Sequence, residues 1–105
     1  MNYTFLTEML SISAPPSNVA ISRSASAGDV EVGTVVTYTC TSTGGDPVPN
    51  IRLFAGTTEL TSATGPVLAH NVNAGTNLHN ANIKCEAFND HGTVDDAEIL
   101  LLYRK

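Results

Sequence analysis

Thr34-Val35-Val36-Thr37-Tyr38-Thr39-Cys40-Thr41-Ser42, introduced by Gly33, alternates strictly. Val36, Tyr38 and Cys40 fall on one side; Val35, Thr37, Thr39 and Thr41 fall on the other. A period of two marks a β-strand with one buried face, and its β-branched content suits a pleated surface. A second stretch, Asn80 to Phe88, repeats the pattern: Ala81, Ile83, Cys85 and Ala87 oppose Asn82, Lys84, Glu86 and Phe88. Each stretch places its cysteine on an alternating strand. Two cysteines allow one intramolecular pair, and these settings favour an inter-sheet bridge, Cys40–Cys85, over two free buried thiols. Closing so long a loop stabilises a domain by on the order of 4 kcal/mol in the chain-entropy model, and only in an oxidising compartment.

Outward from these two strands, short alternating runs recur between turn signals at the spacing of a sandwich or barrel. Asn18 to Arg23 is a first strand, and Ala27-Gly28-Asp29 turns the chain. Thr43 to Asn50, with two Gly and two Pro, is loop. Ile51 to Ala55 is a strand with Ile51 and Leu53 on one face and Arg52 and Phe54 on the other. Gly56-Thr57-Thr58 leads into a short piece, Glu59 to Ser62, and Pro66 to Val72 is a further strand. Asn89-Asp90-His91-Gly92 is a strong turn, after which Thr93 to Tyr103 forms one long closing strand. No helix is expected after residue 17, and no repeat is visible. The fold class is all-β, and seven or more short strands with a cysteine in the second and another in the penultimate are the signature of a two-sheet sandwich.

The 105 residues fit one domain, placed at 15–105. Residues 1–14 are an N-terminal extension or the end of a preceding domain; a cloning or pro-segment remnant is the other reading. Their apolar spacing suits a short amphipathic helix and a strand equally, and Ala14-Pro15-Pro16-Ser17 reads as a stiff linker. They lack the basic start and unbroken apolar core of a signal peptide, so the chain is expected to be a piece of a longer secreted or membrane-bound protein. Its longest apolar run, Ile99 to Tyr103, is too short to span a membrane. Asn2-Tyr3-Thr4 is a weak glycosylation sequon at Asn2. A net charge of −5 and a charged fraction of only 14% give no concentrated basic face, which argues against nucleic acid or an anionic membrane as partner. Abundant Thr, Ser, Asn and Gly are common on secreted β-proteins.

From Pro15 to Tyr103 the chain resembles immunoglobulin domains of the I-set and C2-like kind. Gly33 to Cys40 is similar to their strand B, and Gly45-Asp46-Pro47-Val48-Pro49-Asn50-Ile51 to their Pro-rich approach to strand C. Cys85-Glu86-Ala87-Phe88-Asn89-Asp90-His91-Gly92 resembles strand F and the F–G turn of adhesion-type domains. Two residues depart from that pattern. Leu53 stands where a core Trp is usual, and Ile83 where a Tyr is usual before the second cysteine. The segment Asn80 to Cys85 resembles instead the C2-like domains of nephrin- and nectin-related adhesion proteins. The resemblance implies an immunoglobulin-like Greek-key sandwich, extracellular and non-enzymatic.

No catalytic constellation is visible, and no cofactor or metal is expected. His70, His79 and His91 lie on separate segments and read as solvated strand-end or loop residues. Asp90, Asp95 and Asp96 form no calcium loop, and no nucleophile elbow or phosphate-binding glycine loop is present. What remains is surface. Many relatives bind partners through the face of strands C, F and G, where Phe54 and Phe88 should point outward with Arg52, Lys84 and Glu86. If Ile99, Leu101 and Tyr103 are core, Leu100 and Leu102 join them in an apolar stripe; flanking segments covering these side chains is the alternative. The turn Asn89, Asp90, His91 is a second candidate. The expected function is therefore protein–protein binding, homophilic or not, in a cell-surface adhesion or recognition protein. The rivals are a structural spacer in an ectodomain and an innate-immune recognition domain.

Overall fold

A computed structural model describes residues 13–24 and 28–104 of the chain. Nine strands account for most of it: β1 Asn18–Arg23, β2 Val30–Glu31, β3 Val35–Thr43, β4 Asn50–Ala55, β5 Thr58–Thr64, β6 Val67–Asn73, β7 Ala81–Asn89, β8 Gly92–Leu100 and β9 Leu102–Tyr103. A single 3-10 turn, Thr76–Leu78, precedes β7. Two antiparallel sheets, ordered β1-β3-β6 and β5-β4-β7-β8, face each other, and β2 pairs in parallel with β9. This is an immunoglobulin-like two-sheet sandwich with one inter-sheet disulfide, Cys40–Cys85, at a Cα separation of 5.8 Å.

The alternation read from the sequence sets the packing. Val36, Tyr38 and Cys40 of β3, Ile51 and Leu53 of β4, and Ile83, Cys85 and Ala87 of β7 are fully buried. Burial of each large apolar side chain contributes about 1.5–3 kcal/mol. Leu53 pairs directly with Cys85 and so packs beside the bridge.

The closing strand corrects the expected facing of Leu100 and Leu102. Leu100 is completely buried and Leu102 is 8% exposed, while Ile99 and Tyr103 are nearly half exposed. The cause is register: β8 pairs Glu98 with Ile83, Asp96 with Cys85 and Val94 with Ala87. Directly opposed residues share a face, so the even-numbered residues of β8 face inward. That inner face carries two acids, each matched by β1. The Asp96 carboxylate accepts a 3.0 Å bond from the Ile21 N–H, and Glu98 lies 3.9 Å from the Arg23 guanidinium. Nor is the strand continuous. At Leu101 it leaves β7 for β2, with Val30 N–H donating to the Leu101 carbonyl and Val32 N–H to that of Tyr103, both at 2.9 Å. The Leu102 N–H donates to Nδ1 of His79 at 2.9 Å, so His79, an exposed loop residue, also serves as a structural acceptor.

The segment expected to be a linker lies along the domain. Ala14 and Asp46 exchange backbone bonds of 2.8 and 2.9 Å, and the Ser17 N–H donates to the Thr43 carbonyl at 2.9 Å. Backbone pairing with the body of the sandwich thus reaches back to Ala14. The glycosylation candidate Asn2 and the rest of residues 1–12 lie outside the described residues.

Candidate functional site

Strands β4 and β7 run antiparallel at the centre of the four-stranded sheet, and their even-numbered residues face outward. The register sets these side chains in rows across the sheet. One row is Ser62, Arg52, Glu86, Asp95; the next is Glu59, Phe54, Lys84, Ala97; Asn50, Phe88 and Thr93 form a third. Arg52, Phe54, Lys84, Glu86 and Phe88, grouped from the sequence, are thus neighbours on one surface.

Their geometry is interlocked. Arg52 Nη2 donates to Glu86 Oε1 at 2.8 Å, and its Nε lies 3.9 Å from Glu59 Oε1. The guanidinium carbon sits 4.2 Å from the centre of the Phe88 ring and 5.8 Å from that of Phe54. Lys84 Nζ lies 5.1 Å from the centre of the Phe54 ring. Phe88, Arg52, Phe54 and Lys84 therefore alternate ring and cation. At partly exposed sites each such contact contributes about 0.5–1 kcal/mol. The two rings are half-buried by these cations, which leaves an amphipathic surface rather than a bare apolar one.

Leu100 and Leu102 do not belong to this face, since both lie in the core. Ile99, opposite Asn82, is the outward residue of β8 in their stead. Glu59 was not singled out by sequence reasoning. A register shift in the β4–β5 pairing, between Leu53 and Phe54, puts Glu59 opposite Phe54, and no residue pattern announces that shift.

The turn after β7 divides in two. Asn89 faces inward: its amide donates to the carbonyls of Ala14 at 2.7 Å and Pro47 at 3.0 Å, while its Oδ1 accepts the His91 N–H at 2.9 Å. Its side chain is a clamp between three segments. Asp90 and His91 are exposed beyond it.

The chain matches no protein-family model and no curated protein. Among the described residues no His, Cys, Asp or Glu cluster suited to a metal ion occurs. The chemistry this surface offers is recognition: aromatic rings, two cations and rim carboxylates on a rigid sheet.

Proposed function

We propose that this chain is an immunoglobulin-superfamily domain of an extracellular adhesion or recognition protein, and that it binds a protein partner through the outer face of β4, β7 and β8. The observation that carries this reading is the stack of Arg52 between Phe88 and Phe54. Aromatic and Arg side chains are the residue types most enriched at protein interfaces and their hot spots. Here they are held by cross-strand neighbours, so little side-chain entropy is lost on binding. The disulfide is compatible with an oxidising environment.

The test replaces Phe54 and Phe88 together by Ser. Beads bearing the wild-type domain should bind cells, and beads bearing the folded double variant should not. Undiminished binding by the variant overturns the reading. A spacer role is favoured by a different observation, the fastening of residues 13–17 onto the body through Asn89, which fixes the direction of chain entry. Absence of binding by the wild-type beads supports that role.

A further inference from the structure

Among the described residues the two main sheets have four edges, and three of them carry a device that blocks further pairing. The free side of β1 is capped where Asp96 takes the Ile21 N–H. β8 carries Asp95, Asp96 and Glu98, and the chain beyond it turns to pair with β2. β5 is interrupted by its register shift and exposes Glu59 near its start. Inward charges, bulges and covering segments are how sheet proteins prevent edge-to-edge association. β6 has none of them.

The phase of the ladder shows what β6 presents. Ser42 N–H donates to the Pro66 carbonyl at 2.7 Å, and Ala74 N–H to the Thr34 carbonyl at 2.9 Å. In an antiparallel pair such bonded positions alternate, so Leu68, His70 and Val72 bond to β3, opposite Cys40, Tyr38 and Val36. Val67, Ala69 and Asn71 therefore direct both N–H and C=O away from the sheet, and all three are exposed. β6 is last in its sheet among the described residues. Neither Pro nor a charged residue interrupts it, and no Asp, Glu, Lys or Arg occurs anywhere from Leu60 to Ile83.

We propose that β6 is a homotypic pairing edge: two copies of this chain join their β6 strands antiparallel, making one six-stranded sheet. Two observations select a second copy as the occupant. First, the strand is self-complementary about its midpoint. A two-fold through His70 sets Leu68 against Val72 of the other copy on the inner side and Ala69 against Asn71 on the outer side, and the free odd-numbered groups of each strand then bond one another. Second, each copy carries a net charge of −5, so like copies repel unless they meet where charge is absent. The outward residues of β1, β3 and β6 include Asn18, Ala20, Thr39, Thr41, Ala69 and Asn71, and none is ionisable. The proposal does not depend on the β4–β7 face.

Sedimentation equilibrium on the whole chain, in a series reaching millimolar concentration, should show a monomer–dimer equilibrium. The amides of Ala69 and Asn71 should gain hydrogen-exchange protection as the dimer forms. Ala69→Lys with Asn71→Lys places lysines opposite lysines and should weaken the dimer at least tenfold. Ala69→Lys mixed with Asn71→Asp should form a heterodimer tighter than either partner alone. Phe54→Ser with Phe88→Ser should leave the dimer unchanged. A chain that stays monomeric, edge amides whose exchange ignores concentration, or a dimer lost with the two Phe side chains would each overturn the proposal.

Discussion

The Arg52 guanidinium reaches both the Glu86 carboxylate, 2.8 Å away, and the Phe88 ring, whose centre is 4.2 Å away. Both partners come from β7, so one side chain ties the central strand pair of the sheet together on its solvent side. Arg52→Lys keeps the charge but loses the planar fork that bonds and stacks at once. That substitution should cost about 1 kcal/mol or less, the share of the ion pair and the cation–ring contact that depends on the planar fork. Thermal unfolding of Arg52→Lys beside Arg52→Ala is the measurement. Full retention of stability by Lys would show that planarity is irrelevant here.

The facing of the last strand has a direct consequence. Leu100→Ala should destabilise by about 2–5 kcal/mol through the cavity it opens. Ile99→Ala, one residue away and about half exposed, should change stability by about 0.5 kcal/mol or less. Denaturant titration of the two variants separates the cases. Comparable losses at both positions would contradict the register of β7 with β8.

Asn89 fastens Ala14 and Pro47 to the turn after β7 through one amide group. Asn89→Asp removes the donor and turns an acceptor toward two carbonyl oxygens, at a cost of about 1–3 kcal/mol. The amides of Ala14 and Asp46, which bond each other's carbonyls, should then exchange with solvent much faster. Gly92→Ala attacks the same joint sterically, because an added Cβ would come within 2.7 Å of the Pro15 Cβ. Equal exchange rates in wild type and Asn89→Asp would mean that the strap holds without the clamp.

Burial pushes the Tyr38 phenol above its usual value of 10.0, with the neighbouring Arg23 pulling the other way. The fold therefore favours the neutral phenol. This contribution is complete below the unfolded value and is lost as pH rises from there through the folded value. Stability should accordingly fall on the alkaline side of about pH 10. Tyr38→Phe should flatten that limb. Parallel alkaline limbs in the two proteins would assign the loss to other groups.

Reduction of Cys40–Cys85 should remove about 2–5 kcal/mol, a large fraction of what a domain of this size holds. A fall of well over ten degrees in melting temperature with a thiol reductant is the expected result, and Cys40→Ala with Cys85→Ala should match it. A negligible shift would show that Leu53 and its neighbours hold the sheets together unaided.

Alternation in the sequence was enough to assign the strands around Cys40 and Cys85, the facing of Ile51, Leu53, Arg52 and Phe54, and the bridge between sheets. Each of these follows from the two-residue period of a strand with one dry face. The period says which residues share a side; it does not say which side is inside. In Thr93 to Tyr103 the inner side carries Asp96 and Glu98, and side chains that look solvated conceal the core parity of Leu100 and Leu102. Only pairing with β7, and the Ile21 N–H and Arg23 waiting on β1, decide it. The joining of Glu59 to Phe54, the clamp of Asn89 and the His79 acceptor for Leu102 depend on contacts between residues distant in the chain. Such contacts leave no local pattern, because they are set by how the sheets close and not by the preferences of the residues that make them.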